Sequence, residues 1–420
     1  MIRNILSEFK NRRRRKKILR IGGGFLIASM LLIAVSSQVS KLNWDFDSYV
    51  PRVEKTIESD FVSEVYFNDE MDGEIFSDLI TSVINDAKES IYISMYSFNM
   101  KNIVEALEDA TERGVDVRII LDQSRREQHD EIFADFEGVD IIQIGGDIDI
   151  SGDYMHHKFL LADSTTDSPV LISGSFNYTS LQERFDPSYI LHTEDVDFIE
   201  AFENEFELLT DDKRGYKKLR EDSFQPFSHK LSYSNGNVEI WFTPGFKDNS
   251  VKRRMLDLIK EATSTIDIVI WRMTDDDIAK ALYEKSLSGV NVRILTEDYF
   301  FWSEDSAIAE LYDRAKANEN ENIEFISDYT RTFEIDDDTV DEDFNPFLHQ
   351  HTMIVDEETV LAGTNNWTYN GFSKNDENIV ITDVDSVVDS FMDSFLYHYE
   401  NLTLDQRNYI SPEYPLRATE

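Results

Sequence analysis

The sequence predicts an α/β protein: two tandem copies of one unit, related by a pseudo-twofold, behind an N-terminal transmembrane helix. Three observations predict it. One stretch of the chain lies on another without a gap, the aligned stretches alternate helical and strand periodicity, and a basic cluster precedes twenty uncharged residues near the N-terminus.

Taken in order, residues 1–20 carry Arg3, Lys10, Arg12, Arg13, Arg14, Arg15, Lys16, Lys17 and Arg20 against the single acid Glu8, a local balance of +8. Residues 21–40 hold no charge and centre on an apolar run from Phe25 to Val35, close to bilayer length. Positive charge before such a run predicts a cytoplasmic tail, a single-pass anchor in a bacterial inner membrane, and an exported remainder in the periplasm or outside. The rival is a signal peptide, with small residues around Ala34 and Ser36 as its cleavage site and secretion as its outcome. Residues 41–60 read as a linker.

The remainder is strongly acidic. The 83 Asp plus Glu against 41 Lys plus Arg leave −42 for the chain, so with +8 before it everything after Ser40 carries −50. That surface repels nucleic acid and anionic lipid at long range; it is also what keeps a protein soluble in a saline habitat. Cysteine is absent, which excludes disulfides, thiolate nucleophiles and Cys-based metal sites.

The copies span 61–215 and 236–405, with 216–235, which holds Glu221, Asp222 and Ser223, as the linker between them and 406–420 as a tail. Phe76, Ile80, Val83 and Ala87 fall on Val251, Met255, Leu258 and Ala262 at helical spacing. Ile91 and Ile93 fall on Ile266 and Ile268, and the run from Gly114 to Ile119 on that from Gly289 to Ile294. With Ile103, Ala106 and Leu107 on Ile278, Ala281 and Leu282 between them, each copy reads helix, strand, helix, strand, as in a sheet with parallel crossovers.

Later in each copy comes a run that carries chemistry. The first is Met155-His156-His157-Lys158 followed by Asp163 and by Gly174-Ser175-Phe176-Asn177; the second is Leu348-His349-Gln350-His351 followed by Asp356 and by Gly363-Thr364-Asn365-Asn366. The pattern resembles the phospholipase D superfamily, whose signature is H-x-K-x4-D followed by G-S-x-N, twice per active site. The likeness covers nearly everything after residue 60. It implies two phospholipase D-like α/β sandwich repeats that each give half of one site, so that a monomer suffices.

Displacing an alcohol from a phosphodiester needs a nucleophile on one face of phosphorus and an acid for the leaving oxygen on the other, which two histidines can supply. Strand alternation puts His156 with Lys158 on one side and His157 on the other, and likewise joins His349 to His351. Lys158, Asn177 and Asn366 are expected to hold the nonbridging oxygens. The resemblance implies that His156 is the nucleophile, forming a phosphohistidine, and His349 the acid and later the base, with no cofactor required. It further implies an acid after each Gly-Ser-x-Asn segment to orient a histidine. Glu377 fits the second copy; at the first-copy position stands Ser188, with Asp186 as a substitute. Asp163, Asp356, Ser175 and Thr364 read as supports of the motifs.

Two departures stand out: His351 replaces the second lysine, and the first-copy acid is missing. A lysine restored at 351 is expected to extend activity to higher pH, since an ordinary histidine titrates near ~6.5. Gly289 to His349 is also 18 residues longer than Gly114 to His156; the insertion holds Glu334, Asp336, Asp337, Asp338, Asp341, Glu342 and Asp343, a solvated acidic loop whose spacing supports no calcium site, so calcium stimulation is open but unsupported. Tyr178 and Trp367 beside the motifs read as core. Phospholipid is the expected substrate, because a tethered domain meets lipid head groups at high effective concentration. The alternatives are an endonuclease, for which a basic groove is lacking; transfer to an alcohol instead of water; and a decayed, phosphate-binding envelope protein.

Overall fold

The computed structural model describes residues 52–69, 75–136, 139–145, 153–210, 228–244, 250–301, 303–326 and 348–401. Sixteen strands form two sheets among them. The first copy contributes β2 (Ser63–Phe67), β3 (Ser90–Met95), β4 (Asp116–Asp122), β5 (Asp140–Ile144), β6 (Lys158–Ala162), β7 (Val170–Gly174) and β8 (Tyr189–Thr193). The second contributes β10 (Gly236–Phe242), β11 (Thr265–Ile270), β12 (Asn291–Thr296), β13 (Ile323–Ile326), β14 (Thr352–Val355), β15 (Thr359–Gly363) and β16 (Asn378–Thr382). The seven-stranded sheet runs β2-β8-β7-β6-β3-β4-β5; the nine-stranded one has β1 (Arg52–Thr56) and β9 (Ser228–Tyr233) at one edge and then runs β10-β16-β15-β14-β11-β12-β13, the same order.

Helices α1 (Ile75–Asp86) and α2 (Lys101–Glu112) of the first copy match α6 (Ser250–Glu261) and α7 (Asp276–Leu287) of the second, so the expected helix-strand-helix-strand order stands in both. The short α3 (Arg126–Ile132) follows β4; α8 (Asp298–Phe301) and α9 (Ala307–Ala317) follow β12. Parallel pairing of β3 with β4, and of β11 with β12, is the register that a crossover helix imposes. The apolar stripes of α1 and α2 close one face of the smaller sheet over Ile91, Ile93, Ile119 and Leu160; the equivalent helices close one face of the larger sheet over Ile266, Ile268 and Ile294.

The inner faces share one core. Phe159 and Leu161 of β6 alternate with the outward Leu160, and meet Ile240, Phe242, Ile354 and Val360 of the other sheet. Two longer helices fill the same layer: α5 (Val196–Thr210) through Phe198, Phe202 and Phe206, and α11 (Asp385–Asn401) through Val388, Phe391 and Phe395. Two short helices, α4 (Ser180–Phe185) and α10 (Tyr369–Ser373), follow the Gly-Ser-x-Asn segments.

Strands stand in the two stretches expected to be linkers. β1 (Arg52–Thr56) lies within 41–60 and β9 (Ser228–Tyr233) within 216–235; they pair in parallel, and β9 adds to the edge of the second sheet beside β10. The polar alternation of Arg52-Val53-Glu54-Lys55-Thr56 suits an edge strand and carries no apolar run to betray it. Among the described residues no helix is long and apolar enough to cross a membrane. Residues 21–40, the acidic insertion and Glu221 to Ser223 lie outside the described residues.

Candidate active site

Each motif enters its strand from a segment pinned by a buried carboxylate. Asp122, at the end of β4, accepts from the Met155 N–H at 2.7 Å; Glu297, just past β12, accepts from the Leu348 N–H at 2.6 Å. The next N–H in each copy crosses to the other copy: His156 donates to the Asp376 carbonyl at 2.9 Å and His349 to the Pro187 carbonyl at 2.8 Å. Both histidines therefore sit at the seam between the repeats, just before β6 and β14 begin. Alternation still holds: Lys158 stays with His156, while His157 turns away to Glu205 Oε1 at 2.9 Å and Asn378 Oδ1 at 3.0 Å.

Asp163 and Asp356 close the far ends of β6 and β14 in the left-handed region, with φ of 51° and 55°. Asp163 accepts from the N–H groups of Lys88, Glu89 and Ser90, and Asp356 from those of Thr263, Ser264 and Thr265. Both carboxylates bind the turn that leads into the neighbouring strand. Ser175 Oγ accepts from the Tyr189 N–H at 3.1 Å, and Thr364 Oγ1 donates to Glu377 at 2.7 Å. The glycines ahead of them are required by close backbone approach: a Cβ on Gly363 would stand 2.7 Å from the Asn378 carbonyl oxygen, and one on Gly174 would collide with that of Tyr189.

Glu377 comes from the second copy and holds the histidine of the first. Its Oε2 lies 2.7 Å from His156 Nδ1, and its Oε1 accepts from Asn375 Nδ2 at 2.9 Å. Burial pushes this carboxyl up to about 7, against the pull of Lys158 and its hydrogen bonds. Lys158 Nζ donates to the His156 carbonyl at 2.9 Å and stands 3.3 and 3.4 Å from its ring nitrogens. Burial takes its ammonium down to about 7, with Glu377 and Asp122 opposing. His156, His349 and His351 are all held well below the ordinary histidine range, by burial first; Lys158 adds to it in all three.

A neutral amide stands where the first-copy acid is missing. His349 Nδ1 meets the Gln182 side-chain amide at 2.7 Å and the Ser175 carbonyl at 3.0 Å, and Ser188 Oγ accepts from the same amide at 2.9 Å. Gln182, on α4, had no sequence signal, because nothing in the motif marks that position. His351 departs from expectation. Its ring is buried, 4.7 Å from the His349 ring, its φ is 54°, and burial opposes a charge on it more than the backbone hydrogen bond at Thr364 favours one, so a cation is harder to form there than at an exposed histidine. Asn177 Oδ1 and Asn366 Oδ1 are buried without partners. Both are acceptors, so a phosphate in the site, which also only accepts, would turn to the Nδ2 hydrogens of these amides instead.

Two aromatic side chains flank the histidines and were also missed. Tyr96 lies 4.6 Å from the His156 ring, and Trp271 5.8 Å from that of His349. The repeat held the signal, since Tyr96 falls on Trp271 as Asp122 falls on Glu297. Tyr178 and Trp367 are buried core residues at 2% and 0% exposure, as expected.

Two histidines from two copies of one α/β unit, with a lysine and a carboxylate at one of them, define a phospholipase D-type site. A family model described as "Cardiolipin synthase, PLD-like domain" matches residues 80–210 and 255–399, and the chain belongs to the phospholipase D superfamily. A "Phospholipase D" of Rickettsia conorii is 32% identical over 123 residues, and a "Mitochondrial cardiolipin hydrolase" of Xenopus laevis 30% over 137, covering 29% and 32% of this chain. The chain spans only 58% and 60% of the length of those two relatives. The solved phosphatidylserine synthase of Haemophilus influenzae superposes with a TM-score of 0.58 at 13% identity, covering 81% of this chain and 88% of its own, which shows the shared fold.

Proposed function

We propose that this chain breaks phospholipid phosphodiesters through a phosphohistidine on His156. The observation that carries the reading is the carboxylate of Glu377 at His156 Nδ1. An acceptor there keeps the proton on Nδ1 and leaves the Nε2 lone pair free to attack phosphorus, while His349 protonates the departing oxygen. Lys158 and the amides of Asn177 and Asn366 stabilise the charge that grows on the nonbridging oxygens. His349 then takes a proton from water, or from an alcohol, which attacks the phosphohistidine and frees His156. Hydrolysis and transfer use the same residues, and the choice belongs to the acceptor present.

Phospholipid is favoured over nucleic acid by the charge of −42. Residues 21–40 would anchor the domain beside a bilayer, on the outer side of a bacterial inner membrane; a mature N-terminus near residue 37 would mean a cleaved signal peptide instead. The test uses full-length protein in detergent, phosphatidylcholine, phosphatidylethanolamine, cardiolipin and DNA as substrates, and glycerol as a competing acceptor. His156→Ala and His349→Ala should each lower turnover at least ~10³-fold, and only His349→Ala should accumulate an acid-labile phosphoenzyme. Turnover that survives His156→Ala, or label trapped in the His156→Ala protein, sinks the assignment.

A further inference from the structure

His156 and His349 hold equivalent places in the two copies but lean on partners of opposite polarity. His156 Nδ1 meets a carboxylate, which only accepts. His349 Nδ1 meets an amide whose orientation is fixed from both ends. The Asn177 N–H donates to Gln182 Oε1 at 2.9 Å, which makes that atom the acceptor. Ser188 Oγ spends its proton on the Asp186 carbonyl at 2.8 Å, so it accepts from Gln182 Nε2. The second hydrogen of Nε2 is left for His349 Nδ1, 2.7 Å away, whereas the Ser175 carbonyl is 3.4 Å from that nitrogen. Gln182 is 3% exposed, so no water competes for this contact.

We infer that Gln182 is the positioning residue of His349, and that it parks the resting imidazole with its proton on Nε2, so that a second proton must arrive on Nδ1 before catalysis begins. The inference rests on the reading of His349 as acid and base. An Nδ1–H would face the amide donor but has an acceptor ready in the Ser175 carbonyl, 3.0 Å away. Once that proton is in place, His349 gives its Nε2–H to the leaving oxygen, keeps Nδ1–H, and takes a proton back on Nε2 from the attacking water. The parked tautomer lies outside this cycle, so activity falls as the pH rises and Nδ1 empties. The other titratable groups facing His349 are Lys158 from β6, His156 before it, and His351 on its own segment; Glu297 reaches it through Leu348, and Asp186 precedes the Pro187 carbonyl that binds its N–H. Lys158, if charged, opposes the second proton further.

The test compares wild type, Gln182→Glu and Gln182→Met as full-length proteins labelled with ¹⁵N-histidine, His349→Ala serving to assign the ring signals. In wild type His349 should carry its proton on Nε2. In both variants, which lack the amide donor, it should move to Nδ1. Both variants remove the donor that opposes a proton on Nδ1, so both should move the alkaline limb of kcat/KM on bis(4-nitrophenyl) phosphate upward, and Gln182→Glu, which adds an anion at Nδ1, should move it further, by about one pH unit or more. Gln182→Met should lower kcat with the smaller shift. A proton found on Nδ1 in wild type, or limbs that superimpose for wild type and Gln182→Glu, overturns the inference. If the tautomer moves as expected but no variant cleaves any diester, the positioning role stands and the functional reading is what fails.

Discussion

At position 351 the decisive quantity is burial. A lysine there was expected to extend activity to higher pH, but any cation at this place would share the surroundings that hold Lys158 down to about 7. It would also stand against the His349 ring and make a second charge there harder to form. His351→Lys should therefore tighten inorganic phosphate only on the acid side, by about tenfold near pH ~6, and give little gain near pH ~8. Inhibition constants for phosphate at the two pH values decide it. Equal tightening at both would show that the inserted ammonium is not desolvated, and an unchanged constant at the lower pH would show that position 351 does not face the phosphate.

Among the elements, the strand ends are held by side chains, and this gives the motif aspartates a role separable from chemistry. Asp163 takes three backbone N–H groups at the entry to β3; those of exposed Lys88 and Glu89 can turn to water while that of buried Ser90 is stranded, so Asp163→Ala should cost about 1–3 kcal/mol. Denaturant unfolding should show that loss while the folded variant keeps KM near wild type; a raised KM with unchanged stability would place Asp163 at the substrate instead. For Asp356, burial alone would push the carboxyl up, yet the N–H groups of Thr263, Ser264 and Thr265 hold it down to about 2. Its support is thus full above the ordinary carboxylate range and is lost as the pH falls towards about 2. These supports were legible because an Asp stands seven residues after His156 and again seven after His349. Gln182 was not, since it meets His349 only when α4 folds across the seam between copies, and β1 and β9 were not, since edge strands need no apolar run.

For the whole molecule, the net charge of −42 decides how salt should act, and salt separates lipid from nucleic acid as substrate. With 83 acids and 41 bases, half of the carboxylates have no cation to pair with, so the surface field is repulsive towards any anion and is screened as ionic strength rises. The Debye length shrinks from about 10 Å at ~0.1 M to about 3 Å at ~1 M. An anionic diester must cross that field to reach Lys158, which lies buried and is screened far less than the surface. Its kcat/KM should therefore rise several-fold between ~0.05 and ~0.5 M salt, chiefly through KM, while a zwitterionic lipid in neutral micelles should respond weakly. A protein that binds DNA through basic contacts behaves oppositely, because counterion release makes affinity fall steeply with salt. DNA cleavage by this chain that weakens with salt by the slope of several phosphate contacts would move the substrate reading from phospholipid to nucleic acid.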